Sequence, residues 1–201
     1  HLILLGRSME KLEALDDELG SFGCETTLVP VDLNDLEKLS SLGPLLMNKI
    51  DHVDFLIGAA ATLGQLGPLT HQPSSNWQEV WTVNFHSHWY LLKSIEPLLR
   101  QAPNPNITFI TSGLVAKRTP YWGAYELSKA ALEAMALMYA NETKSLNFKV
   151  NLFDPGIMNT NIFKEAMPGA DLSQVPSPES KAIKLLEHLG NLNLGTGEIL
   201  K

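Results

Sequence analysis

Tyr125 and Lys129 stand four residues apart in ITFITSGLVAKRTPYWGAYELSKAAL, the stretch from Ile107 to Leu132. On a helix that spacing sets both side chains on one face, one turn apart. An ammonium beside a phenol favours the phenolate and is expected to draw the tyrosine pKa down from about 10 toward working pH. A tyrosine tuned this way can give or take a proton at a carbonyl or alcohol oxygen. Ser112 ends the strand-like run before the helix, where its hydroxyl could bond the same oxygen. The competing reading is an exposed i,i+4 pair on a solvated helix face.

The elements that must position these groups are legible as alternating apolar runs and helical patterns. Leu2–Leu5 reads as a buried parallel strand, and Met9–Leu19 as a helix with Ser8 as N-cap and Gly20 as its stop. Thr26–Val31 is a second strand. Asn34 with Glu37 resembles a capping box for a helix running to about Lys49, which Gly43-Pro44 should kink. Val53–Ala61 is a third strand that ends in small residues, suited to tight packing or to close approach of a ligand. A polar loop from Thr62 to Ser75 leads to a long helix, Trp77–Arg100, whose apolar face contains Asn84. A polar amide on that face needs partners, whether structural or functional. Ile107–Thr111 and Phe148–Phe153 are further strands, Thr160–Val175 reads as flexible, Ser177-Pro178 opens a helix, and Gly195–Lys201 looks like a last strand.

Strands separated by helices imply an α/β chain with a doubly wound, Rossmann-like parallel sheet in three layers, forming one domain over residues 1–201. Ligands of such sheets bind at the carboxyl ends of the strands. Arg7, Asp32, Gly58–Thr62, Ser112 and Pro155-Gly156 all fall at or just beyond strand ends, so they should share one edge.

Composition narrows the function classes. The net charge of −7 and the lack of a basic stripe speak against nucleic acid and anionic membranes as partners. No run is long and apolar enough for a transmembrane helix. Cys24 is the single cysteine, which suits a reducing, cytoplasmic setting. The six histidines are scattered without metal-ligand spacing, so no metal is expected.

With these residues in place the chain resembles the short-chain dehydrogenase/reductase family along essentially its whole length. Tyr125-Glu126-Leu127-Ser128-Lys129 is similar to the family's Tyr-x-x-x-Lys, and Ser112 lies 13 residues before Tyr125, as the family's catalytic serine does. Asn84 in Thr82-Val83-Asn84-Phe85 matches the helix asparagine that completes the tetrad. Asp32, with Leu33 beside it, matches the aspartate that contacts adenine, and Pro155-Gly156-Ile157-Met158-Asn159-Thr160 matches the Pro-Gly-x-x-x-Thr stretch along the nicotinamide. The resemblance implies that Tyr125 is the general acid/base. It implies that Lys129 lowers the Tyr125 pKa and holds the nicotinamide ribose, that Ser112 orients the substrate oxygen, and that Asn84 holds a water feeding protons toward Lys129. Gly58, Ala59, Ala60, Tyr125, Lys129, Pro155, Gly156 and Thr160 would line the cofactor. Arg7 follows Gly6 at the end of the first visible strand, where an acidic residue would bond a ribose 2′-hydroxyl. An arginine there can pair with a 2′-phosphate, which favours NADP(H) over NAD(H).

Two departures accompany the resemblance. Gly58-Ala59-Ala60-Ala61 stands where the family usually shows Asn-Asn-Ala-Gly. The family's first strand–turn–helix unit, about 30 residues with a Gly-rich phosphate-binding turn, has no counterpart before His1. A sheet without that central strand should have a hole flanked by unpaired backbone groups, so the natural chain is expected to carry the segment. The expected activity is hydride transfer between NADP(H) and a carbonyl or secondary alcohol. The alternative is a non-catalytic dinucleotide-sensing or scaffolding protein of the same fold. The loop Val115–Gly123, with Tyr121 and Trp122, and the segment with Phe163 and Met167 should flank the substrate. The resemblance further implies a homodimer or homotetramer, with Trp89, Tyr90, Met135, Met138 and Tyr139 as surface candidates.

Overall fold

The computed structural model describes residues 1–191 and 193–201. Strands β1 (Leu2–Gly6) and β2 (Thr26–Pro30) pair in parallel, with Leu2 opposite Thr26 and Gly6 opposite Pro30. Helix α1 (Met9–Gly20) connects them. Its N-cap is Ser8, as expected, with the hydroxyl accepting from Lys11 N at 3.4 Å. Its end differs from expectation. Gly20 stays inside the helix, and the left-handed residue is Gly23, φ 74°. The chain reverses there because only glycine adopts that φ without strain.

Helix α2 (Leu36–Leu46) is capped by Asp35, whose carboxylate accepts from Lys38 N at 3.1 Å. The expected cap, Asn34, is instead held in a turn by Asp32, which accepts from the Asn34 backbone N–H at 2.9 Å and from its side chain at 3.0 Å. Pro44 lies inside α2 and cannot donate to the Ser40 carbonyl. Ser94 fills that vacancy from the long helix. Its hydroxyl donates to Ser40 O at 2.9 Å and accepts from Gly43 N at 2.7 Å. Gly43 permits the close crossing, since a Cβ there would stand 1.8 Å from Ser94 O.

The long helix begins one turn earlier than its apolar pattern suggested. It comprises α3 (Ser74–Trp81), a π-helical turn (Thr82–His86) and α4 (Ser87–Leu99). Strands β3 (Phe55–Gly58), β4 (Asn106–Ile110), β5 (Lys149–Phe153) and β6 (Ile199–Leu200) form a four-stranded parallel sheet in that order. Helix α5 (Gly123–Glu142) joins β4 to β5. Leu42 and Leu46 of α2, Ile95 and Leu99 of α4, and Leu132 of α5 pack with Leu56, Ile107 and Val150 of the sheet to form the core. The architecture is a Rossmann-like parallel sheet with flanking helices.

Several boundaries contract or extend. The third strand is four residues rather than Val53–Ala61, because Val53 N donates to Leu98 O instead of a neighbouring strand. The segment read as flexible contains α6 (Asn161–Ala166), capped by Thr160. Helix α7 (Pro178–Gly190) opens at Ser177 as expected.

The hole anticipated in the sheet is present. Strands β1 and β3 line opposite sides of an apolar cavity of about 750 Å³, and neither has a second strand neighbour among the described residues.

Candidate functional site

Because the strands are parallel, their carboxyl ends place Arg7, Asp32-Leu33, Ala59-Ala60, Ser112 and Asp154-Pro155-Gly156 beyond one edge of each sheet segment. Arg7 and Asp32 are exposed there, as are Ala59 and Ala60. Gly58 has a packing reason for its size. A Cβ would lie 2.5 Å from the Phe109 ring and 2.7 Å from His88 Cδ2, so close packing by itself requires a glycine here. His88 is buried, stacked edge-on against Phe109 at 5.7 Å, and its pKa is lowered to about 3 by burial and by the Lys129 charge.

Helix α5 carries Tyr125, Ser128 and Lys129 into the interior, with Tyr125 9% and Lys129 2% exposed. This removes the solvated-pair reading of their spacing. The Ser112 hydroxyl, just beyond β4, lies near the Tyr125 phenol and pulls its pKa down. Burial, the larger effect, pushes it up, and the negative charge of Asp154 adds to the rise. The net shift is upward, opposite to the expected depression by Lys129. The reason is geometric: Lys129 Nζ donates to Ile110 O at 2.7 Å. Burial lowers the pKa of the Lys129 ammonium to about 8.

Asn84 is fully buried in the π-helical turn. Its Oδ1 accepts from Thr62 N at 2.7 Å, and its Nδ2 donates to Thr62 O at 2.9 Å and to Ser128 Oγ at 3.1 Å. Both side-chain N–H groups are taken by protein. Ser128 Oγ in turn donates to Tyr125 O at 2.8 Å, so the amide ties the segment after β3 to the helix bearing Tyr125.

On the far side, Asp154 Oδ1 accepts from Gly156 N at 3.0 Å, and Gly156 adopts φ 67°. Thr160 caps α6 through Phe163 N at 3.3 Å. The buried Asn159 Oδ1 has no partner. The loop before α5 bends through two non-glycine residues in the left-handed region, Arg118 (φ 51°) and Tyr121 (φ 73°), and Trp122 stacks edge-on against Tyr125 at 6.0 Å. Phe163 is half-buried and Met167 exposed on the opposite flank.

Two groups escaped the sequence reading, Asp154 and Glu126, while Thr62 was legible only as a strand-end residue. Asp154 was visible only as the first residue of an Asp-Pro-Gly turn, and Glu126 only as a variable position inside Tyr-x-x-x-Lys. Of the surface candidates, Trp89 and Met138 are exposed, whereas Met135 and Tyr139 pack against the core. Among the described residues no helix is long and apolar enough to cross a membrane.

The sequence profile of the short chain dehydrogenase family matches residues 1–171. The uncharacterized oxidoreductase YciK of Escherichia coli K12 is 28% identical over 180 residues, covering 88% of this chain and 71% of that protein. A structure of yciK superposes with a TM-score of 0.93, covering 98% of this chain and 82% of its own. The benzil reductase ((S)-benzoin forming) IRC24 of Saccharomyces cerevisiae is 29% identical over 170 residues, and the chain spans 61% of its length. A putative short chain dehydrogenase of E. coli CFT073, complexed with NADPH, is 27% identical with a TM-score of 0.93, covering 98% of this chain and 84% of that one. Matched in sequence across residues 1–171 and in fold across nearly all its length, the chain belongs to the short chain dehydrogenase family.

Proposed function

We propose that the chain is an oxidoreductase that uses NADP(H) to interconvert a carbonyl and a secondary alcohol, with Tyr125 as general acid/base. The observation that carries this reading is that α5 buries Tyr125 and Lys129 together, one helical turn apart, with Ser112 near the phenol at the carboxyl edge of the sheet. The nicotinamide supplies the hydride. Ser112 holds the substrate oxygen, and Tyr125 gives that oxygen a proton as the carbonyl is reduced. The raised Tyr125 pKa keeps the phenol protonated at neutral pH, which suits the reducing direction. Lys129 holds the ribose. Asn84 positions the Tyr125 helix through Ser128.

The residues present fit the dinucleotide. Ala59 and Ala60 leave open, small surface at the strand end, Gly156 turns left-handed beside it, and the unpartnered Asn159 oxygen can accept from an amide. Asp32 and Leu33 would meet the adenine. Exposed Arg7 favours a 2′-phosphate, and the NADPH bound by the E. coli CFT073 relative supports that preference. We place the working protein in the cytoplasm as a homodimer or homotetramer joined through the α4–α5 face that exposes Trp89 and Met138.

A second reading is a dinucleotide sensor of the same fold without turnover. The Lys129 ammonium, bound to Ile110 O at 2.7 Å, is the observation that favours it. The test is NADPH consumption against a panel of aldehydes, ketones and diketones, with NADPH and NADH affinities measured in parallel. Turnover of any carbonyl, with NADPH bound more tightly than NADH, supports the enzyme. Tight NADPH binding without turnover selects the sensor, and binding of neither overturns both.

A further inference from the structure

Glu126 is 8% exposed, directly follows Tyr125, and lies in the first turn of α5. Its Oε2 accepts from Thr119 N at 2.8 Å. Thr119-Pro120 is the only stretch between Arg118 and Tyr121, the two non-glycine residues with positive φ among those described. A non-glycine residue in that region is strained, and such strain persists only where surrounding contacts over-determine it. The contacts here are few and specific. Glu126 takes the Thr119 amide, and Gly67 N donates to Tyr121 O at 2.9 Å from the loop after β3. Gly123, at the start of α5, is pressed against Leu69 and Gln72, where a Cβ would lie 2.8 Å from Leu69 Cδ1. The strained turn is thus clamped between the first turn of α5 and the loop after β3, and it delivers Tyr121, 63% exposed, and Trp122, stacked on Tyr125, to one side of the phenol.

We propose that Glu126 is a positioning residue that holds the 113–122 loop in its strained form over Tyr125 and thereby sets how tightly the carbonyl substrate is held. This rests on the reading of Tyr125 as the site of proton transfer. Glu126 acts through the Thr119 amide and touches neither substrate nor cofactor. Glutamine keeps an oxygen that can accept from Thr119 N, whereas alanine leaves that partly buried amide without a protein partner. Glycine at position 118 adopts φ 51° without strain, so it should lessen the need for the clamp.

The test compares Glu126→Ala, Glu126→Gln and the double variant Glu126→Ala/Arg118→Gly, using whichever carbonyl the panel turns over fastest. Glu126→Ala is expected to raise KM about tenfold with kcat within about threefold and NADPH affinity unchanged. Glu126→Gln is expected to restore KM to within about threefold of the parent, and the double variant to recover part of the loss. Hydrogen exchange supplies a readout that needs no turnover: the Thr119 amide and its loop should exchange faster in Glu126→Ala and at the parent rate in Glu126→Gln. Unchanged KM in an active Glu126→Ala enzyme overturns the proposal, as does equal loss in the Gln and Ala variants. Absence of parental turnover counts against the enzyme reading, and exchange at Thr119 then still decides whether Glu126 holds the loop.

Discussion

Asn84 Nδ2 reaches Ser128 Oγ at 3.1 Å while the same amide grips both backbone groups of Thr62. The π-helical turn at Thr82–His86 swings this one side chain out of helical register and into the space between the strand-end segment and α5. Removing the amide leaves a backbone N–H and C=O unpaired in a partly buried place. Asn84→Ala should therefore cost about 2–4 kcal/mol in urea unfolding and weaken NADPH binding, because the Thr62 segment loses its tie. An Asn84→Ala protein as stable as the parent contradicts the bracing role.

Asp154 contributes to the elevation of the Tyr125 pKa, and it also anchors Gly156 N at 3.0 Å. Asparagine keeps an oxygen for that anchor and removes the charge. Asp154→Asn should move the Tyr125 pKa downward. In carbonyl reduction, the rate loss at high pH, where the phenol gives up its proton, should shift to lower pH. Ultraviolet titration of the phenolate and the pH profile of kcat/KM read the same change, and an unmoved profile excludes the assigned interaction.

His88 links the core to acid stability. Its folded pKa is about 3, against 6.5 for a free histidine. As pH falls through about 6.5, the unfolded chain takes up a proton that the folded chain refuses, so stability is lost. The loss runs from about pH 6.5 toward 3 at up to about 1.4 kcal/mol per pH unit. Chemical denaturation of the parent and His88→Asn across that range tests this, with a flatter curve expected for the variant. Parallel curves would show that His88 titrates normally in the folded state.

How far the sequence reached can be judged from pairs of neighbouring residues. Ser8 was legible as a cap because one candidate stood before a clear periodic run. Asn34 was not, because Asp32, Asn34 and Asp35 are all able to cap and only the backbone path decides that Asp35 faces Lys38 N. The parallel sheet followed from alternation with helices, but the third strand lost its first residues when Val53 N went to Leu98 O, a long-range bond with no local signal. The burial of Tyr125 and Lys129 on one helix followed from their spacing. The direction of the phenol's pKa was not, since burial and the Asp154 charge arise only from the folded arrangement.

Ser94 partners the α2 backbone beside Pro44, with its hydroxyl serving Ser40 O and Gly43 N together. Ser94→Ala should destabilise by about 1–3 kcal/mol. Gly43→Ala should cost more, because its Cβ would overlap the Ser94 carbonyl, which is backbone and cannot step aside. Thermal unfolding of both variants checks the order, and a Gly43→Ala protein more stable than Ser94→Ala contradicts the crossing described.

The most direct measurement of the central claim is single-turnover reduction of a carbonyl by Tyr125→Phe with NADPH bound. Phenylalanine keeps the ring against Trp122 and removes only the proton-bearing oxygen. The account predicts NADPH affinity within about threefold of the parent and a chemical step slowed at least about a hundredfold. Reduction at the parental rate would contradict it.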